Sequence, residues 1–130
     1  MIFIDTDVAI ALRDAHPATL RLIDELPDLP VISMITRIEL ENGVNADPSQ
    51  APLRRRLLVR FLQTIATQMF TDADILTYGK IVYNLGYDRR TTLDRLIAAQ
   101  AIARSATLIT RNGKNFRRID GLKLEEWPGI

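Results

Sequence analysis

The chain has 130 residues, 47% of them hydrophobic and 25% charged, with no cysteine and a formal net charge of +1. That size suits one domain with a proper core, expected to span residues 1–130, and the composition excludes a disordered chain, a disulfide scaffold and a thiolate metal site. No apolar stretch reaches the 18 residues of a membrane span and no basic segment precedes the N-terminal apolar run, so a soluble cytoplasmic protein without a signal peptide is expected.

Taken in chain order, the sequence reads as alternating strands and helices. Residues 1–4 form an apolar strand that runs into Asp5, with Asp7 two residues on, where a helix begins. PATLRLIDEL (17–26) has proline in a first helical turn. VISM (31–34) reads as a second strand and TRIELENGV (36–44) as the helix after it. Between 53 and 65, Leu57, Leu58, Phe61, Leu62 and Ile65 recur at helical spacing. TQMF (67–70) is a third strand, and Thr71 with Asp74 opens a helix that ends near Gly86. TLDRLIAAQAIAR (92–104) is an alanine-rich helix, ATLIT (106–110) a fourth strand and LKLEEW (122–127) a short fifth. Such alternation predicts a parallel sheet covered by helices on both faces.

The acids sit at strand ends. Asp5 follows strand one, Glu39 lies in the first turn of the helix after strand two, and Asp94 opens the helix that leads to strand four. Asn112 lies two residues beyond strand four. In open parallel sheets the ligand crevice lies beyond the carboxyl ends of the strands, so these residues are expected at one edge. Each acid also has a structural explanation. Thr36-x-x-Glu39 has the form of a capping box, Thr91-x-x-Asp94 resembles one, and Asp5 is placed to cap the helix near Asp7. Carboxylates gathered together repel unless a proton or cation neutralises them. With no cysteine and one histidine, oxygen ligands favour Mg2+ or Mn2+ over zinc.

FIDTDV at the start, ISMITRIELENGV in the middle and LDRLIAAQAIARSATLITRNGKNFRRIDGLKLEEW at the end resemble the PIN-domain ribonucleases, specifically the VapC-type toxins of toxin–antitoxin pairs. The resemblance implies a three-layer α/β/α fold with a central parallel sheet and a metal-dependent endoribonuclease. It implies Asp5, Glu39 and Asp94 as metal ligands, with the Thr110 hydroxyl supporting the site. Asp7, by its place in the chain, is expected behind the ligands or as a helix cap, with a direct ligand as the alternative. Asn112 stands where many members have a fourth acid, a departure that bears on a second metal and on full activity. A homodimer and a cognate VapB-type antitoxin are implied as well. The mechanism expected is hydrolysis of an RNA phosphodiester, with Glu39 or Asp94 orienting the attacking water.

The charges are unevenly distributed. Residues 1–53 carry nine acids and three bases, whereas residues 54–118 carry four acids and thirteen bases. Arg111, Lys114, Arg117 and Arg118 beyond strand four, and Arg89, Arg90 and Arg95 around Asp94, are the expected RNA contacts, against the alternative of a solvated surface. Arg55, Arg56 and Arg60 read as solvated, His16 as a surface residue and Trp127 as packing. Ile75, Leu76, Val82, Tyr83 and Leu85 are expected to face the core, with a partner surface as the alternative. Two other functions stand beside the nuclease. One is a catalytically weak PIN domain that binds RNA or a partner; the other is a haloacid-dehalogenase-like phosphatase using Asp5 as nucleophile, for which the later lysine and acidic pair are not evident.

Overall fold

The computed structural model describes residues 1–129. Strand β1 (Ile2–Ile4) has three apolar residues whose side chains alternate, so Ile2 and Ile4 join one core and Phe3 another. Strand β4 (Thr107–Thr110) repeats the pattern with Ile109 on the first side and Leu108 on the second. With β2 (Val31–Ser33), β3 (Ala66–Gln68) and β5 (Lys123–Glu126) they form one sheet in the order β3-β2-β1-β4-β5, every pair parallel. The chain lays β2 and β3 to one side of β1 and β4 and β5 to the other. The strand order therefore reverses at the β1/β4 boundary.

Helices cover both faces, as parallel strands buried on two sides require. On one face, α1 (Thr6–Arg13), α3 (Met34–Ala46) and α4 (Ala51–Thr64) contribute Val8, Leu40, Val44, Leu58 and Phe61. Ile23 of α2 (Pro17–Asp24) and Trp127 pack against the margin of this core. On the other face, α5 (Asp72–Leu85) and α6 (Thr92–Ala103) supply Ile81, Ile97, Ala98 and Ala101, joined by Phe116 from the segment after β4. The fully buried alanines of α6 leave room for its backbone to approach the layer below. This is the three-layer α/β/α arrangement expected. Among the described residues no helix is long and apolar enough to cross a membrane.

Several local expectations are corrected. The VISM run is split: β2 ends at Ser33, whose hydroxyl accepts from the Ile35 amide, and Met34 is already helical. Thr36 and Glu39 therefore form no capping box, and Thr36 is fully buried inside α3. Thr91 does not cap α6 through its side chain; its hydroxyl donates to the Asp88 carbonyl instead. The box at Thr71 and Asp74 does form, and Asp74 also takes two hydrogen bonds from Arg104 at 2.6 and 3.0 Å. Strand β3 pairs one residue earlier than its apolar run suggests, because its register follows Val31–Ser33 of β2. On α5, Ile75, Leu76 and Tyr83 are exposed and do not face the core, while Leu85 packs against the second core.

Candidate functional site

The reversal of strand order makes a crevice beyond the carboxyl ends of β1 and β4, the usual ligand position in such sheets. Asp5 stands there. Its amide donates to the Ile109 carbonyl, extending the β1–β4 ladder by one step, and its carboxylate caps α1. One carboxylate oxygen accepts from the Thr6 amide at 2.8 Å and the other from the Thr110 hydroxyl at 2.9 Å. Thr110 is itself oriented by the Asn112 amide, which donates to its oxygen at 3.0 Å. Asp5 is thus fixed from both sides at only 6% exposure.

Glu39 and Asp94 reach the same crevice. Thr6 donates its hydroxyl to Glu39 Oε1 at 2.7 Å, which leaves the Thr36 hydroxyl to donate to Thr6 across 3.0 Å. Asp94 accepts from the Asn115 side-chain amide at 3.0 Å, so the turn after β4 clasps the first turn of α6. Thr6 and Asn115 were not singled out in the sequence. Thr6 lies in plain view between Asp5 and Asp7, but the pairing of Asn115 with Asp94 is a tertiary contact that local pattern does not encode.

Electrostatics unite the acids. Burial pushes the Asp5 carboxyl up to about 6, against the Thr110 and Thr6 hydrogen bonds that hold it down, and the charges of Asp94 and Asp7 add to the rise. Burial also raises Glu39, opposed by the Thr6 hydroxyl and reinforced by Asp5 and Asp7. Asp94 is raised by burial, against its bond from Asn115, with Glu39 and Asp7 adding to the effect. Among the described residues no arginine or lysine forms an ion pair with any of the three. The cluster is a pool of negative charge with hard oxygen donors and no compensating side chain, which suits a divalent cation. The side chains do not yet close into a cage: no three Asp, Glu or His groups among the described residues stand close enough to grip one ion. Glu39 is turned to Thr6 and Asp94 to Asn115.

The remaining candidates are placed as follows. Asp7 is exposed in the first turn of α1, and its backbone carbonyl accepts from Arg111 at 3.3 Å. The Asn112 side chain is half-buried and caps nothing. Lys114, Arg118, Arg89 and Arg90 are exposed, Arg90 lying 3.7 Å from Asp88. Arg117 is paired with Glu126 on the surface. Arg95 departs from the expectation of an open cation: it is 8% exposed and donates to the Gly86 carbonyl at 2.6 Å, bracing the turn after α5.

The PIN domain family profile matches residues 2–122. The ribonuclease VapC2 of Rickettsia felis is 30% identical, the alignment covering 95% of this chain and 96% of that protein. The tRNA(fMet)-specific endonuclease VapC of Shigella flexneri is also 30% identical at the same coverages. In structure, the chain superposes on VapBC2 of Rickettsia felis, solved bound to a promoter DNA fragment, with a TM-score of 0.86 at 29% identity, covering 98% of this chain and 99% of that one. VapBC-1 of nontypeable Haemophilus influenzae gives 0.80 at 28% identity, with 98% of each chain covered.

Proposed function

Because the chain belongs to the PIN-domain family, among its VapC-type ribonuclease toxins and not among the haloacid-dehalogenase phosphatases, we propose that it hydrolyses RNA phosphodiester bonds with a divalent cation held by Asp5, Glu39 and Asp94. The observation that carries this is the set of three buried or half-buried carboxylates, raised in pKa and without a cationic partner, at the strand-order reversal. When bound, Mg2+ or Mn2+ would draw charge from the phosphate and ease deprotonation of a water.

The chain's own groups do the rest. Thr110 and the Thr6 amide hold Asp5 so that its charge faces the crevice without rotamer freedom to lose. Glu39 or Asp94, each half-buried and held by one hydrogen bond, accepts a proton from water where it is not fully engaged with the cation. Asn115 sets the orientation of Asp94. Lys114 and Arg118 are open to phosphate oxygens, and such contacts make binding steeply dependent on salt. A VapB-type antitoxin is the partner that the VapBC complexes support. A homodimer in the cytoplasm is part of the same proposal.

Asn112 favours a second reading. A neutral amide at this position contributes no charge for a second cation, which suits a domain that binds RNA and cuts it slowly. One assay separates the two: cleavage of labelled single-stranded RNA with Mn2+ by wild type and by Asp94→Asn. Cleavage lost by at least about 100-fold in a variant of unchanged circular dichroism supports catalysis. Equal cleavage by both proteins would remove Asp94 from the chemistry, and RNA retained uncut by wild type would favour the binding module.

A further inference from the structure

Beside the carboxylates, on the face covered by α5 and α6, two cavities abut. The first, of about 130 Å³, is lined by Asp88, Thr91, Arg95, Lys114, Asn115 and Arg118 among others, and Asn115 is the residue that holds Asp94. The second, of about 170 Å³, has apolar walls from Ile81, Leu85, Ile102 and Ile119. Lys80, Asn84 and Asp120 stand at its rim. Leu85, Arg118 and Ile119 line both, so a single trough runs from the clasp on Asp94 to an apolar pocket.

The character of the trough changes along its length. Near Asp94 it is polar, with three basic side chains against the single acid Asp88, and farther out it is aliphatic with a polar rim. Neither Lys114 nor Arg118 has an ion pair among the described residues, so both are available to phosphate. The apolar end falls below the roughly 300 Å³ at which pockets for drug-sized ligands begin, so it suits one planar ring system and not a whole nucleotide. Single-stranded RNA has this sequence of features: a charged backbone with flat rings that can be splayed out and stacked against guanidinium planes.

We propose that the trough seats one unstacked nucleobase of the RNA beside the scissile phosphate. This rests on the RNA-cleaving reading above. The base enters between Ile81, Leu85, Ile102 and Ile119, the Arg118 guanidinium covers its face, and the backbone passes Lys114 on its way to Asp94. Asn84 and Asp120 meet the edge of the ring. Asp120 only accepts hydrogen bonds and Lys80 at the same rim only donates, so the pair favours a base edge with both an exocyclic amino group and a carbonyl, as in guanine or cytosine, over uracil, which has no amino group.

The test is cleavage of a random-sequence single-stranded RNA pool with Mn2+, products sequenced, by wild type, Asn84→Phe, Arg118→Ala and Asp94→Asn. Asn84 is exposed on α5, so a phenylalanine there fills the pocket from its rim without entering the core. Expected is a base preference at one fixed distance from the cut in wild type, with uracil depleted. In Asn84→Phe that preference disappears and cleavage falls roughly tenfold, as loss of stacking on one base implies. Arg118→Ala weakens the same preference, a readout that a merely structural defect would not confine to one position. Wild-type preference retained in full by both variants, with Asp94→Asn inactive, overturns the base pocket and leaves the nuclease standing. Cleavage by Asp94→Asn, or none by wild type, overturns both.

Discussion

Asn in place of Asp5 should make the metal-free protein more stable at neutral pH, the reverse of what removal of a purely structural cap would do. Burial raises the Asp5 carboxyl from 3.8 to about 6. A native state that binds its proton more tightly than the unfolded chain loses stability as pH rises through that interval. The difference amounts to about 3 kcal/mol once the group is fully ionised in the fold. Asparagine carries no such charge and is as good a cap, so its oxygen keeps the bond from the Thr6 amide. Its amide must face the Thr110 hydroxyl, which has to turn its proton away, at a cost of about 1 kcal/mol. The net expectation for Asp5→Asn is a gain of about 2 kcal/mol at pH 7.5, which falls with pH and becomes a loss of about 0.5 kcal/mol near pH 4. Urea melts from pH 4 to 8 with a chelator present measure it, and comparing the two proteins cancels groups that titrate alike in both. Added Mn2+ should then stabilise wild type and leave the variant unmoved. A variant less stable than wild type at pH 7.5, or a gap independent of pH, would refute the picture of an uncompensated buried charge.

Two stability predictions follow from other features. Asp74→Ala removes a buried partner of Arg104 and half of a capping box, so about 3 kcal/mol or more should be lost in urea melts; a loss below about 1 kcal/mol would mean that Arg104 finds water as easily. Ala15, between α1 and α2, has φ of +57°, a left-handed conformation costly for a residue with a Cβ. Ala15→Gly relieves that strain at some cost in unfolded-chain entropy, giving a net gain of about 0.5–1 kcal/mol in the same assay, whereas a loss would show the strain to be negligible.

Sequence pattern reached the sheet and the acids because both are written locally. A run such as IFI or TLIT reads as a strand between helices, and the residue just beyond it, Asp5 or Asn112, then lies at the carboxyl edge. What was illegible depended on neighbours distant in the chain. The β2–α3 junction has no loop, so nothing in VISM marks where extension stops; the Ser33 hydroxyl does, and it reads as an ordinary strand residue. The register of β3 is set by β2 and not by its own apolar residues. Arg95 looked like one more basic residue near Asp94, and only the path of the chain past Gly86 turns its guanidinium inward. On α5 the apolar residues exceed what one helical face can bury, and the sequence does not say which of them the second core will take.

The place of β1 in the sheet has a consequence for synthesis. Of the five strands, the middle one leaves the ribosome before the others, and its partner β4 lies about a hundred residues downstream. The hydrogen bond from Thr110 to Asp5 closes a loop of 105 residues. At roughly 5–20 residues per second, translation separates those two ends by roughly 5–20 s. Until then Phe3 lacks half its packing, and Asp5 has neither its hydroxyl donor nor the burial that defines its charge. In the nascent chain the carboxylate centre is therefore incomplete by topology, and it comes into being only once Asp94 and β4 have been made.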